Sequence, residues 1–137
     1  MPPTTPAPLP SHRAEPSRPM DSAAFVLDDL FAALDATRHD FGEFLRAPGL
    51  SLSVAVWAAG AVDDQQPHPE DEVYYVASGR ARLRVGLDDR EVTPGSVVYV
   101  RAGVEHRFYE ISEALRVLIF WSPARSTPGR RIEAPPR

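Results

Sequence analysis

The residues with the clearest chemical potential lie in one short stretch from Gly60 to Gly79, which reads GAVDDQQPHPEDEVYYVASG. It gathers carboxylates, amides and an imidazole, and it runs directly into Val73–Val76, whose β-branched and aromatic residues are typical of a strand. Because side chains alternate faces along an extended chain, Gln66, His68 and Glu72 share one face if the strand begins near them. The spacing therefore predicts a set of ligands where a loop enters a sheet.

A second histidine occurs in an equivalent setting downstream. A Pro-Gly-Ser turn precedes a predicted strand over Val97–Val100, and the turn that follows it leads to His106. Alternation along the next strand places His106 and Phe108 on one face. The chain therefore presents two histidines, each at the entrance of a strand.

These two segments resemble the two conserved motifs of the cupin family, with every spacing intact. The first motif falls on Gly60, Gln66, His68, Glu72 and Gly79. The second falls on Gly95, Arg101, Gly103, His106 and Glu110. Three positions depart from the family pattern: Gln66 replaces a histidine, Arg101 a proline and Glu110 an asparagine. The resemblance covers Leu50 to Phe120 and implies an all-β fold, the double-stranded β-helix or jelly-roll barrel, here with a short N-terminal helix.

The resemblance also implies a metal site inside the barrel. Its ligands would be His68, Glu72 and His106, with Gln66 as the fourth; Gln65 is the alternative if the loop is kinked. The sequence contains no cysteine, so a metal must be held by nitrogen and oxygen donors. Fe, Mn, Ni and Zn are divalent ions that such a set can hold, with positions left for water or substrate.

Two further side chains are candidates for catalysis. Tyr74 lies two residues beyond Glu72 and should share its face, as a general acid or orienting donor; the alternative is a core tyrosine with a satisfied hydroxyl. Arg101 lies at the mouth of the second motif and could pair with an anionic substrate. The alternative for Arg101 is a salt bridge with Glu105 or Glu110.

Two classes of function fit these residues. The first is a metal-dependent enzyme that acts on a small oxygenated molecule by dioxygenase-, isomerase- or lyase-type chemistry. The second is a non-catalytic module that binds a small ligand or a metal, as a sensor or accessory protein. Oxygen uptake and the retention of a metal with an exchangeable water would discriminate between them.

Composition narrows the remaining choices. The chain has 137 residues and a net charge of −4, without a dense basic run, which argues against nucleic acid as a partner. It contains no lysine, which excludes Schiff-base chemistry. No stretch approaches the roughly 20 apolar residues of a membrane span, so we predict no membrane partner and a cytoplasmic location. Unpaired edges of the N-terminal strands favour a homodimer.

The sequence divides into three parts. Residues 1–20 are rich in proline and poor in bulky apolar residues, so they are expected to form a disordered tail, and Met20 could be the true translational start. Residues 21–122 form the single predicted domain. Residues 123–137 are dominated by proline and arginine and are expected to form a flexible tail, in which only Ile132 could serve as an anchor.

Within the domain, Asp28 to Ala36 has the apolar spacing of an amphipathic helix that packs on the outside of a sheet. Phe41 to Arg46 fits either a strand or a helical turn. Ser51 to Ala58 is a predicted strand. The remaining predicted strands are 73–77, 81–85, 91–93, 97–100, 108–111 and 115–121, with a hairpin turn at Ser78-Gly79.

Overall fold

The computed structural model describes residues 2–7 and 20–135. Residues 2–7 are exposed and have no regular secondary structure, and the rest of the predicted N-terminal tail before Met20 lies outside the described residues. The elements in chain order are α1 (Leu27–Thr37), β1 (Phe41–Ala47), β2 (Leu50–Trp57), β3 (Asp71–Val85), β4 (Asp88–Val92), β5 (Val97–Val100) and β6 (His106–Ser122). The predicted helix is confirmed, and the ambiguous segment after it is a strand.

All strand pairs of the sheet are antiparallel, in the order β1-β2-β6-β3-β4, and β5 pairs with β3. The strands β3 and β6, of 15 and 17 residues, pair with each other along most of their lengths. The first half of β3 also pairs with β5, and its second half with β4. These two long strands therefore lie at the centre of the sheet and connect both halves of the fold.

The predicted hairpin at Ser78-Gly79 is wrong, because β3 continues through it. Three register shifts between Val76 and Arg82 bend the strand against β6 without ending it. Gly79 has φ +95°, and a Cβ there would lie 2.2 Å from the carbonyl oxygen of Ala114. A glycine that reads as a turn in the sequence thus permits a bulge and a close approach of two backbones.

Helix α1 covers the outer face of β1 and β2. Its buried side chains, Leu30, Phe31 and Leu34, recur at the helical spacing that the sequence predicts, and they pack with Phe44 and Val54. We call this group, completed by Ile132, the helix-side cluster. It is separate from the larger apolar core inside the strands, which consists of Ala55, Tyr74, Val76, Ala81, Leu83, Val92, Val98, Val100, Phe108, Ile111, Leu115, Val117, Ile119 and Trp121.

The segment after β6 differs from the flexible tail that the sequence predicts. Arg131 forms a parallel β-bridge with Glu43, whose N–H donates to the carbonyl of Arg130 at 2.8 Å. The N–H of Ile132 donates to the carbonyl of Glu43 at 2.9 Å, and its side chain is 3% exposed. One buried aliphatic side chain and a short backbone ladder are therefore enough to hold this segment along β1.

Among the described residues, no helix is long and apolar enough to cross a membrane.

Candidate metal centre

Three side chains from three separate segments converge inside the strands. His68 lies in the loop before β3, Glu72 is the second residue of β3, and His106 is the first residue of β6. The Oε1 atom of Glu72 is 3.1 Å from Nε2 of His68 and 3.1 Å from Nε2 of His106. The two Nε2 atoms are 3.3 Å apart. We call these three residues the His-Glu-His cluster.

The backbone fixes how both histidines present their nitrogens. Nδ1 of His68 lies 3.0 Å from the carbonyl oxygen of Glu70, and Nδ1 of His106 lies 2.8 Å from that of Val104. A carbonyl oxygen only accepts hydrogen bonds, so each Nδ1 carries the proton and each neutral ring presents a lone pair on Nε2. Two lone pairs and a carboxylate oxygen then face one another, an arrangement that a cation between them stabilises.

A buried polar atom also supports a cation site at the cluster. The Oε2 atom of Glu72 is buried and has no hydrogen-bond partner among the described residues. A buried carboxylate oxygen without a partner is costly unless a cation or a donor reaches it. Two imidazoles and one carboxylate are donors that divalent transition metals accept, so the residues present fit such an ion.

The electrostatics of the cluster favour its charged form. Burial alone raises the pKa of Glu72, but in the metal-free protein hydrogen bonding with His106 and His68 outweighs burial and holds that pKa below its ordinary value. Burial alone lowers the pKa of His106, and the hydrogen bond to Glu72 reverses this effect and raises it. Without a metal, the cluster therefore holds a carboxylate beside an imidazole that protonates readily.

The structure does not bring Gln66 to the cluster. Gln66 is exposed, and its amide donates to the carbonyl of Asp64 at 3.2 Å. Strand β3 begins only at Asp71, so the alternation of faces that the sequence suggests does not extend back to residue 66. Gln65, the alternative, is the amide on the inner side, where its Oε1 accepts a hydrogen bond from the Tyr74 hydroxyl at 3.3 Å.

Asp63 holds Gln65 in this position and was not a candidate from the sequence. Its Oδ1 accepts the backbone N–H of Gln65 at 3.2 Å, and its Oδ2 accepts the side-chain amide of Gln65 at 2.7 Å. Oδ2 also accepts the backbone N–H of Phe108 at 2.9 Å, which ties the loop to β6. Asp63 is 6% exposed, and a buried acid in a loop is a signal that only coordinates reveal.

Tyr74 lies in the barrel beside the cluster. It is fully buried, and its ring centroid is 6.2 Å from that of His106. Burial, followed by the charges of Glu72 and Asp63, raises its pKa well above the ordinary value, so the phenol remains protonated at neutral pH. Tyr74 is thus both a core residue with a bonded hydroxyl and a hydrogen-bond donor near the cluster.

Arg101 lies apart from the cluster, and its pairing with an anionic substrate stays a prediction. It is exposed, and it directly follows β5, whose inward-facing residues are Val98 and Val100. The group that its charge affects is the exposed phenol of Tyr99. Within the described residues it forms no ion pair with Glu105 or Glu110.

Glu70 is a second acid that sequence reasoning missed. It is 2% exposed, and its Oε1 accepts both the N–H and the hydroxyl of Ser126. Its Oε2 lies 3.5 Å from Nδ1 of His68. Glu70 therefore connects the segment after β6 to a histidine of the cluster. No local sequence pattern predicts this contact, because its two partners are 56 positions apart.

A cavity of about 380 Å³ opens beside the cluster. Its lining includes Gln65, His68 and Glu70 from the loop before β3, and Trp121, Arg125 and Ser126 from the end of β6 and the segment after it. The side chain of His68 is 17% exposed, whereas those of Glu72 and His106 are fully buried. The cavity therefore reaches the cluster at His68.

Three proteins are similar to this chain in sequence or in fold. "Uncharacterized protein SCO3923" of Streptomyces coelicolor is 48% identical over 103 residues, which are 75% of this chain and 98% of that protein. KdgF from Halomonas sp. superimposes with a TM-score of 0.58 at 21% identity, over 63% of this chain and 79% of KdgF. An RmlC-like cupin from Shewanella frigidimarina superimposes with a TM-score of 0.57 at 21% identity, over 63% of this chain and 77% of that protein.

These structural neighbours confirm the jelly-roll prediction, since the fold is shared at low sequence identity. The profile of the family described as "Cupin domain" matches residues 53–122. That range runs from β2 to the end of β6 and contains all three residues of the His-Glu-His cluster. The chain therefore belongs to the cupin family, as a small single-domain double-stranded β-helix protein.

Proposed function

We propose that this cupin binds a divalent metal ion through His68, Glu72 and His106 and acts on a small oxygenated molecule. The observation that carries the proposal is the convergence of two imidazole lone pairs and one carboxylate oxygen within 3.3 Å of one another. The buried, unpartnered Oε2 of Glu72 supports it. Fe, Mn, Ni and Zn all accept such donors.

The ion supplies Lewis-acid chemistry, since it polarises an oxygen that binds to it. The chain's own residues then decide which reaction is favoured. Tyr74 remains protonated because its pKa is raised by burial, so it can donate a hydrogen bond to an oxygen on which negative charge develops. In the structure the single O–H of Tyr74 donates to Oε1 of Gln65 at 3.3 Å, so a substrate oxygen would replace Gln65 as its acceptor. These features favour isomerase- or lyase-type chemistry, in which negative charge develops on a substrate oxygen.

Metal content tests the first part of this proposal. Chelator-treated protein is incubated separately with Fe(II), Mn(II), Ni(II) and Zn(II), desalted and analysed for bound metal. We expect about one ion per chain, and a loss of more than about 100-fold in affinity for Glu72→Gln, beyond the range for residues that only support a ligand. The matched control is Glu43→Gln, a buried acid on β1 that pairs with Arg46. Wild-type protein that takes up none of the four ions would refute the proposal.

Oxygen consumption separates the reaction classes. Isomerase- or lyase-type chemistry predicts turnover of hydroxy and oxo compounds by the Zn(II) or Mn(II) form without oxygen uptake. Dioxygenase-type chemistry, the other reaction that the sequence suggests, predicts uptake by the Fe(II) form only. Oxygen uptake that depends on both Fe(II) and substrate would reassign the reaction.

A non-catalytic binding module is the second candidate. It is favoured by the full burial of the Glu72 and His106 side chains, which leaves only His68 in contact with the cavity. Water-proton relaxation of the Mn(II) form discriminates between the two. An enzyme requires an ion with an exchangeable water and hence enhanced relaxation, whereas a closed binding site gives none.

Assembly as a homodimer, the absence of a nucleic-acid or membrane partner and a cytoplasmic location stay predictions from the sequence. Part of the free edge of β1, one of the edges predicted to pair, is covered by residues 130–132. A dimer formed through sheet edges would therefore use the rest of β1 or another edge. Sedimentation analysis at micromolar concentration tests for the dimer.

A further inference from the structure

The cavity beside His68 contains a guanidinium group without an acidic partner. The Arg125 guanidinium carbon lies 4.9 Å from the ring centroid of Phe41 and 5.4 Å from that of Trp121. Its Nη1 donates to the carbonyl of Thr127 at 3.0 Å. Within the described part of the chain, no carboxylate forms an ion pair with it. Arg125 is thus a cation that two aromatic rings orient and no acid neutralises.

The backbone of Arg125 is held independently of its side chain. Its N–H donates to the Ser51 hydroxyl at 2.9 Å, and its carbonyl accepts a hydrogen bond from Arg46 at 2.7 Å. The next residue, Ser126, donates twice to Glu70. The position of this segment therefore does not require the guanidinium, which leaves its remaining N–H groups available for a ligand.

A second donor lies in the same wall. Trp121 lines the cavity, and its indole Nε1 is buried without a hydrogen-bond partner among the described residues. Trp121 also packs edge-on against the ring of His68, with centroids 4.8 Å apart. Arg125 and Trp121 are thus two groups that only donate, and neither has a carboxylate partner among the described residues.

We propose that Arg125 binds a carboxylate of the substrate, with Trp121 as a second donor, so that the acid end of the substrate rests against this wall and its oxygenated carbon faces His68. This assignment rests on the proposed function and specifies its substrate class as small hydroxy or oxo acids. A single planar guanidinium matches a carboxylate in a two-point geometry. Glu70 lines the same cavity but forms no ion pair with Arg125: its Oε1 accepts hydrogen bonds from Ser126, and its Oε2 lies 3.5 Å from Nδ1 of His68.

Three acids and their amides test the proposal, since the amides keep the shape and remove the charge. Ligand-observed NMR titrations compare glycolate, lactate and pyruvate with glycolamide, lactamide and pyruvamide. Each pair is measured on the zinc-incubated and on the chelator-treated protein. We expect at least one acid to bind the wild-type protein about tenfold more tightly than its amide, as charge-assisted hydrogen bonds imply. Arg125→Gln should bind acid and amide alike.

Arg116→Gln is the matched control. Arg116 also lies over an aromatic ring, Phe31 at 5.3 Å, but on the helix side, where it pairs with Asp35. This variant should keep the wild-type preference for acids. Arg125→Lys should keep part of it, because the charge remains while the planar fork is lost.

The inference would be overturned if the wild-type protein bound none of the three acids, or bound them no more tightly than their amides. It would also be overturned if Arg125→Gln kept the preference for acids, or if inorganic phosphate bound more tightly than every acid. Failure of the proposed function looks different. Wild-type protein that takes up none of the four ions would refute the metal site, while the titrations on the chelator-treated protein would still decide the role of Arg125.

Discussion

The two faces of β2 show how the fold separates stability from chemistry. Toward the barrel interior the strand presents small residues, Ser51, Ser53 and Ala55, all of them buried. Toward α1 it presents aliphatic residues, and Leu52, Val54 and Val56 pack with the helix-side cluster. The inner face leaves room for polar side chains and a ligand, whereas the outer face removes apolar surface from water.

This separation matters because the inner face is costly. Burial of Glu72, Glu70 and His106 requires desolvation of ionisable groups, a cost that the hydrogen bonds of the site must offset. The helix-side cluster stabilises the fold, since burial of apolar area is the main favourable contribution to the free energy of folding. Substitutions on the outer face should therefore change the free energy of unfolding without changing metal binding. Substitutions on the inner face should change metal binding with little effect on the free energy of unfolding.

The largest expected effect comes from the outer face. Leu34→Ala deletes a fully buried side chain of the helix-side cluster and should lower the free energy of unfolding by about 3 kcal/mol. The metal content of the folded protein should not change. Urea unfolding followed by tryptophan fluorescence measures the loss, and metal analysis at low urea checks the site.

The inner-face counterpart of that variant is Ser53→Ala. The Ser53 hydroxyl is buried without a partner among the described residues, so its removal should leave stability equal or higher. The division between the two faces would be wrong if Ser53→Ala destabilised the protein as much as Leu34→Ala does.

An intermediate effect is expected from Glu70, which supports the site without belonging to the cluster. Glu70→Gln removes the negative charge 3.5 Å from Nδ1 of His68, so we expect the affinity for Zn(II) to fall about tenfold. Competition with a chromogenic chelator measures this affinity. Glu43→Gln, the buried acid of β1, should leave zinc affinity unchanged, and an equal loss in both variants would show that the effect is only structural.

The smallest effect is the pH dependence of the metal-free protein. The pKa of Glu72 is lowered from its ordinary 4.5, so its stabilisation is complete above pH 4.5 and is lost as the pH falls through the folded-state value. The pKa of His106 is raised from its ordinary 6.5, so its stabilisation is complete below pH 6.5 and is lost as the pH rises through the folded-state value. The contribution of this pair should therefore be greatest between pH 4.5 and 6.5.

Zinc affinity should follow the opposite trend on the alkaline side. A metal binds only the neutral imidazole, so affinity should increase as the pH rises through the raised pKa of His106. Thermal unfolding with and without Zn(II) from pH 4 to pH 9 measures both trends. Zinc affinity that did not vary across this range would exclude His106 as a ligand.

The spacing of residues within the two motifs was sufficient to identify much of the site. His68 and Glu72 are four positions apart at a strand entrance, and His106 follows a second turn of the same kind. The family motif also contains a position whose residue preference is explained by its backbone conformation. Glu110 stands where the family has asparagine and adopts φ +45°, a left-handed conformation that asparagine tolerates better. The glutamate should cost about 1 kcal/mol in backbone strain.

Other features could not be derived from spacing. The selection of Gln65 over Gln66 depends on Asp63, which turns the loop before any strand alternation begins. The continuity of β3 through Gly79 depends on a bulge against β6. The wall of the cavity depends on a segment that reads as a flexible tail but contacts Glu70 and β1.

The sequence by itself indicated the amphipathic helix through its apolar periodicity, and it indicated the barrel and the three residues of the His-Glu-His cluster through two motifs that resemble those of the cupin family. Only the tertiary structure decided which amide faces inward, which residues support His68 and where Arg125 lies. Those outcomes depend on contacts between residues tens of positions apart, and such contacts exist only once β3, β6 and the segment after β6 have packed together.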